Sequence, residues 1–328
     1  MLNAFRTTIP SAILVSIAVF VNGCTDAPNS VATVIATKAL SRKKALILSG
    51  IFNFLGVVIT SVCFPFVANT IYRMVNFHSQ GSVTYAVTAC MFSVALYALV
   101  AMKFGIPTSE SHAMVAALAG AGVVMQGSLF AVNGIALLKT VCGLAVSVIS
   151  AAVIGFFIAK YLKKYSSKKP DLLFDRTQIA VTCASSFMHG AQDGQKFLGL
   201  FMLVLMQNDN APSLQLIIFV AVIMATGTRF GGKKIIESVG FSLAPLQKYQ
   251  GLSADLASSI ALLVCSFLGM PSSTTHTVSS AIVGCAFAEN YKKINVRLLK
   301  NLLFVWLITF PACFALSAFF ATVIKLIL

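Results

Sequence analysis

Apolar residues run in long blocks along the whole chain, separated by short polar and basic stretches. The blocks fall near 8–39, 44–69, 83–102, 106–126 and 133–159, and again near 172–206, 212–228, 251–268, 271–288 and 298–324. A helix needs about 20 apolar residues to cross a bilayer core, and most blocks have that length. The pattern predicts membrane helices. Blocks 8–39 and 172–206 are too long for one ordinary span, and glycine and polar residues interrupt each near its middle. They predict broken helices. The stretch Lys160-Tyr-Leu-Lys-Lys-Tyr-Ser-Ser-Lys-Lys-Pro-Asp171 is the most polar and basic part of the chain. It divides the chain into 1–160, a linker 161–171, and 172–328.

The halves repeat. Val21-Asn-Gly-Cys-Thr-Asp26 aligns with Met188-His-Gly-Ala-Gln-Asp193, the two Asp lying 167 residues apart. Gly105-Ile-Pro-Thr-Ser-Glu-Ser-His112 aligns with Gly269-Met-Pro-Ser-Ser-Thr-Thr-His276, the two His lying 164 apart. Two motifs recurring in one order at nearly one offset indicate duplication. Five crossings per half would make the halves antiparallel, the inverted-repeat design of many secondary transporters. The segments 106–126 and 271–288 open with proline and hydroxyl residues, so each reads either as a span or as a re-entrant hairpin. The fold class expected is an all-α polytopic membrane protein with two inverted repeats, broken helices and re-entrant hairpins.

Composition sharpens the class. Of 328 residues, 58% are hydrophobic and 10% charged, too little charge to cover a soluble globule of this size. Lys and Arg number 24 against 9 Asp and Glu, a net charge of +15. The basic residues cluster at Arg42 to Lys44, Lys160 to Lys169, Arg229 to Lys234 and Lys292 to Lys300. That is the signature of cytoplasmic loops, so nucleic-acid binding is excluded as the meaning of the charge. With Lys103, Arg176 and the 229–248 stretch, these clusters form the expected inner set. Arg6, Arg73 and Lys325 form a sparse outer one. Arg6 before Ile9–Val21 imitates a signal peptide, but no cleavage site follows, and the run reads as a first membrane segment. None of the eight cysteines forms a Cys-x-x-Cys pair, so they read as packing residues.

The candidate chemistry follows from membrane cost. An ionisable residue at bilayer depth costs at least ~2.5 kcal/mol and usually faces a cavity, an ion or a partner. Asp26, Glu110 and Asp193 fall inside apolar blocks, and Asp26 and Asp193 are equivalent across the repeat. Asp171, Asp175, Asp209, Glu237, Asp255 and Glu289 read as solvated loop or segment-end residues. Thr108, Ser109 and Ser111 follow Pro107; Ser272, Ser273, Thr274 and Thr275 follow Pro271. Proline favours the first helical position, so each cluster predicts a helix N-terminus, which attracts anions. Two such ends converging from opposed halves predict an anion site; helix capping is the alternative. Asn22, Glu110, His112, His189, Lys196 and His276 are secondary candidates. No nucleotide loop, metal-binding His pair or hydrolase elbow is present, so an enzyme is not expected.

Gly23-Cys-Thr-Asp26-Ala-Pro-Asn29-Ser and His189-Gly-Ala-Gln-Asp193-Gly-Gln-Lys196 resemble the duplicated Gly-Ala-Asn-Asp signatures of the inorganic phosphate transporter family. Gly269-Met-Pro271-Ser-Ser-Thr-Thr-His276 resembles its Pro-x-Ser-Thr-Thr-His motif, with Gly105 to His112 a weaker copy. The match spans about 10–324. The resemblance implies a secondary transporter of phosphate, or in some relatives sulfate, driven by sodium or protons. It implies ion and phosphate sites at Asp26, Asn29, Asp193, Ser109, Ser111, Ser273, Thr274 and Thr275. Three departures bear on coordination, ion and substrate. Thr25 and Gln192 replace the Asn before each signature Asp, Pro28 intervenes before Asn29, and Glu110 replaces a hairpin hydroxyl.

The combined expectation is a multi-pass cell-membrane symporter importing inorganic phosphate by alternating access, with no cofactor. Sodium, at Asp26 and Asp193, is favoured over protons as coupling ion. Asp26, Asn29 and Asp193 are set as coupling-ion ligands. Thr25, Thr108, Ser109, Ser111, Gln192 and Ser272 to Thr275 are set as substrate ligands. A sulfate permease is the alternative, with a passive anion channel or membrane-embedded enzyme behind it. The expected partners are phosphate and the lipid bilayer; a homodimer is left open.

Overall fold

A computed structural model describes residues 2–104, 108–206 and 211–327. Pro107 and Asp209 lie outside the described residues, as do the side chains of Arg6 and Lys103. The first repeat contains α1 (Leu2–Thr25), α2 (Asn29–Ala36), α3 (Arg42–Cys63), α4 (Phe66–Tyr72), α5 (Gln80–Phe104), α6 (Glu110–Gln126) and α7 (Gly134–Ser166). The second contains α8 (Asp171–His189), a π-helical turn at Gly190–Gly194, α9 (Gln195–Val204), α10 (Leu214–Arg229) and α11 (Lys233–Ile236). A π-helical turn Glu237–Ser242, α12 (Lys248–Phe267), α13 (Thr274–Glu289) and α14 (Val296–Ile327) complete it. The linker is shorter than the polar stretch predicts, because α7 continues to Ser166 and α8 begins at Asp171.

Contacts between loops sort the chain into two ends. At one, Arg42 donates to the Gly231 carbonyl at 2.8 Å, Lys248 reaches Asp175 at 2.8 Å and Asp171 at 3.3 Å, and the Asn295 N–H bonds the Leu243 carbonyl at 3.0 Å. At the other, Gln80 meets Thr8 at 3.3 Å, Asn76 and Asn133 exchange backbone bonds with Ala131 and Met74, and Lys325 reaches the Val124 carbonyl at 3.2 Å. The expected inner clusters Arg42 to Lys44, Lys233–Lys234 and Lys292–Lys293 share the first end.

The turns between these helices correct the expected crossings. α5 starts and α6 finishes at the second end, and α12 starts and α13 finishes at the first. The two turns meet in the interior, where the His112 and His276 rings just beyond them lie 4.4 Å apart, so neither turn reaches the far end and each pair is a re-entrant hairpin, one from each side. At 17 and 16 residues, α6 and α13 also fall short of the ~20 needed to span. Each half then crosses three times instead of five: along α1–α2, α3 and α7, and along α8–α9, α10 and α14. Removing a pair of crossings keeps the number odd, so the repeats remain inverted.

Packing follows the same two-fold plan. α14 lies along α6, and α7 along α13, so the last helix of each repeat cradles the hairpin of the other. α1 packs on α10 as α8 packs on α3. Glycines permit that approach: a Cβ on Gly23 would strike the Met224 carbonyl, and one on Gly190 the Asn53 carbonyl. α6 and α13 are buried around nearly their whole circumference, so they need no polar face. Large apolar side chains such as Ile149, Phe157, Phe304 and Leu307 point outward, as lipid-facing surfaces require. Among the described residues six helical segments, the hairpin arms α5 and α12 included, are long and apolar enough to cross a membrane, seven if the bent α10–α11 segment is counted.

Candidate functional site

The first signature segment breaks where the sequence expects, and the second changes its winding there. In the first repeat Pro28, which has no N–H to donate, separates α1 from α2 and leaves Asp26 buried at the break. In the second, the chain stays helical, and the interruption is a π-helical turn, Gly190–Gly194, which carries Asp193. Such turns widen a helix and commonly mark functional positions. The N-termini of α6 and α13 meet these breaks from opposite sides.

At the first break, the Asp26 carboxylate accepts from Asn22 at 3.1 Å and from Thr275 of the opposite hairpin at 3.3 Å. Asn29 donates to Thr275 at 2.9 Å, and Thr25 donates to Glu110 at 2.6 Å. At the second, Asp193 accepts from Ser111 at 3.2 Å and Thr274 at 3.4 Å. His189 Nε2 lies 3.2 Å from Asp193 and its Nδ1 lies 2.7 Å from Asn53. The Lys196 ammonium contacts Asp193 at 2.7 Å, Ser111 at 2.9 Å and the Ser272 carbonyl. The Asn22 amide also reaches Asp193 at 3.3 Å, so one side chain joins both signature carboxylates. Asp26, Glu110, Asp193 and Lys196 are all buried. Among the described residues, three carboxylates thus share the centre with a single ammonium.

The hydroxyls divide by task. Ser109 and Ser273 each cap their helix by accepting the N–H three residues on, from His112 and His276 at 3.3 Å. Ser111, Thr274 and Thr275 face the carboxylates. Gln192 braces the second hairpin, accepting the Ser272 N–H at 3.1 Å and donating to Ser266 at 2.9 Å. His112 and His276 meet each other with ring centres 4.4 Å apart, and His276 stacks on Trp306 at 3.9 Å. They pack the hairpins together and do not reach the carboxylates. Buried Asn22 Oδ1, Asn29 Oδ1 and Ser272 Oγ have no hydrogen-bond partner. These are oxygen groups beside an anionic centre, a donor set that suits a hard cation such as sodium.

A cavity of about 340 Å³ adjoins the first break. Thr25, Asp26, Asn29, Thr108, Glu110 and Thr275 line its deep side, and Lys233 and Lys234 its mouth. The mouth is at the basic end, where positive charge raises the local anion concentration.

One expectation fails. Asp255 is not a solvated segment-end residue: it is fully buried, accepting from Thr33, from Thr182 at 3.0 Å and from Gln178 at 3.4 Å. Three polar partners around it replace water. Its block begins at 251, so Asp255 stands one helical turn inside, a signal that was available. Asn53 and Gln195 could not be found from motif spacing. Asn53 supports His189, and Gln195 accepts the Val67 and Ala68 N–H groups at 3.0 and 3.2 Å, capping α4.

Comparison with known proteins gives the family. The model of the phosphate transporter family matches residues 22–172 and again 163–317, one match per repeat. The chain is 33% identical over 311 residues to a probable low-affinity inorganic phosphate transporter of Bacillus subtilis, covering 91% of each. It is 32% identical over 314 residues to one so described from Rhizobium meliloti, again covering 91% of each. Among solved structures it is similar to one described as the sodium-dependent phosphate transporter, with a TM-score of 0.81 and 25% identity over 98% of this chain and 100% of that one. These are transporters and not enzymes, and the chain belongs to the phosphate transporter family.

Proposed function

We propose that this protein imports inorganic phosphate across the cell membrane together with a cation, sodium in preference to protons, by alternating access. The carrying observation is the meeting of two hairpin N-termini, one from each inverted repeat, at two buried carboxylates beside a cavity with a basic mouth. Helix N-termini and hydroxyls at Thr108, Ser109, Ser111 and Ser272 to Thr275 supply donors to the anion, with Thr25 and Gln192 beside them. Asp26 and Asn29 supply oxygen to the cation, and Asp193 adds its charge to the centre. A divalent anion entering among carboxylates is repelled. Unit charges ~4 Å apart interact by about 4 kcal/mol even at an effective dielectric of ~20, so the site fills only when cations enter with the anion. The sodium dependence named for the similar solved structure supports sodium. The relatives reported above are all described by phosphate, which favours it over sulfate.

Purified protein in proteoliposomes is given labelled phosphate or sulfate under an imposed sodium or proton gradient. Concentrative phosphate uptake under a sodium gradient is expected. Good sulfate uptake with no entry or competition by phosphate overturns the substrate. Uptake that ignores sodium and follows protons changes the ion.

A further inference from the structure

We propose that the Lys196 ammonium is a built-in coupling cation. It fills in the second repeat the position that the first repeat leaves to a free ion, so each phosphate enters with one mobile cation fewer than the duplicated carboxylates would otherwise demand. This rests on the cation-coupled reading above and deepens it.

The first ground is the ligand set. Lys196 is 1% exposed, among the largest fully buried side chains. Its ammonium does not snorkel to an interface, as membrane lysines usually do. Its three N–H groups are spent on a carboxylate oxygen of Asp193, the hydroxyl of Ser111 and the carbonyl of Ser272. Carboxylate, hydroxyl and backbone carbonyl are the oxygen donors that a hard cation takes from a protein.

The second ground is the repeat. At the 167-residue offset that relates Asp193 to Asp26, Lys196 corresponds to Asn29. At the 164-residue offset of the hairpins, Ser111 corresponds to Thr275, and Ser272 to Thr108. The counterpart position in the first repeat is therefore bounded by Asp26, Thr275 and the backbone of Thr108. There Asn29 donates to Thr275 at 2.9 Å and keeps its Oδ1 without a partner, although 1% exposed. Among the described residues no basic side chain lies within ion-pair distance of Asp26. Asp26, Asn29, Thr108 and Thr275 line the cavity, whereas Asp193 does not. One half-site is thus open to an ion from the aqueous phase, and its twin is closed by a tethered one.

A tethered cation neutralises Asp193 in every state of the cycle, but it returns with the empty carrier and carries no net charge across. A neutral residue in its place makes Asp193 recruit a mobile cation whenever phosphate binds. The transported charge per phosphate then rises by about one, and the cation dependence of uptake steepens accordingly.

The test is the charge-to-phosphate ratio from zero-flux potentials in proteoliposomes, with the Hill slope for sodium, or for protons if they couple. Wild type is compared with Lys196→Asn, which installs the first repeat's residue, and with Asp193→Asn/Lys196→Asn, which removes the pair together. The ratio and slope are expected to rise by about one in Lys196→Asn and to return to the wild-type values in the double variant. An unchanged ratio in Lys196→Asn overturns the inference. Should that variant fail to fold, the double variant decides alone: a ratio about one below wild type means that Asp193 had bound a mobile cation beside the lysine, and overturns it too. Wild-type protein that moves phosphate with neither cation overturns the underlying reading instead.

Discussion

Asp26 and Asp193 are the same residue at equivalent points of a duplicated sequence, yet their surroundings differ in charge. Asp193 is paired with Lys196 at 2.7 Å, whereas Asp26 is held by the neutral groups of Asn22 and Thr275. Asp26→Asn should therefore abolish concentrative phosphate uptake while the protein still inserts and folds. Full gradient-driven accumulation by that variant would remove the carboxylate from the coupling scheme. In wild type, sodium should tighten phosphate binding, and phosphate should tighten sodium binding by the same factor, since linkage is reciprocal. For Glu110 the expectation concerns the choice of anion. It lines the cavity as an acceptor already bonded by Thr25, and it can accept a proton that phosphate carries and sulfate lacks. A site that uses such a hydrogen bond rejects the analogue without it strongly. Glu110→Gln should narrow the preference for phosphate over sulfate by ~10-fold or more, equivalent to about 1.4 kcal/mol, read from competition assays. Equal narrowing by a distant conservative change would mean that Glu110 does not discriminate.

At the scale of elements, the duplicated motifs were readable because each needs a residue type with a mechanical reason: a helix break at Pro28, hydroxyl caps at Ser109 and Ser273, acid at Asp26 and Asp193. The hairpins were readable only as an alternative. Apolar length is the same whether a helix crosses or returns, and the choice appears only when the turns after α5 and α12 meet each other in the interior. Asp255 was misread because proximity to a segment end was taken for exposure. The polar residues that enclose it, Thr33, Gln178 and Thr182, come from α2 and α8, remote in sequence. Asp255 therefore ties α2 to α8 and α12. Asp255→Ala would leave those groups unsatisfied and should cost ~3 kcal/mol or more, measured by thermal unfolding in detergent. A change under about 0.5 kcal/mol, the range of ordinary surface substitutions, would show that the cluster holds nothing together. The glycines give a second element-scale expectation. Gly190→Ala forces α8 away from the Asn53 carbonyl, and overpacking of this kind costs ~1–3 kcal/mol. Gly134→Ala at the start of α7 meets nothing within 4 Å and should leave the melting temperature unchanged or slightly raised.

At the scale of the whole molecule, charge and topology constrain each other. The two repeats cross the membrane an odd number of times each, so the first and second halves present opposite faces to one side. Basic residues do not follow that inversion. Arg42, Lys43 and Lys44 of the first repeat share an end with Lys233, Lys234, Lys248, Lys292 and Lys293 of the second, as the contacts of Arg42 with Gly231 and of Lys248 with Asp171 show. Arg73, Lys139 and Lys325 stand toward the opposite end. The asymmetry is imposed on a two-fold scaffold, and orientation in the membrane is the physical demand that explains it, because Lys and Arg in short loops are retained on the cytoplasmic side. The cavity that reaches Asp26 and Glu110 opens beside Lys233 and Lys234, so this conformation presents its site at the basic end, the end that the positive-inside rule assigns to the cytoplasm. Single cysteines placed in a cysteine-free background test the assignment with a membrane-impermeant maleimide on intact cells. Positions 43, 164, 234 and 293 are exposed and should react only after permeabilisation. Positions 78 and 129 are also exposed. They flank the contact between Asn76 and Ala131, and both should react from outside. Labelling from outside at two or more of the basic positions would reverse the orientation. Labelling of 78 and 129 from opposite sides would break the hairpin topology itself, since α5 and α6 could not then leave and return at one face.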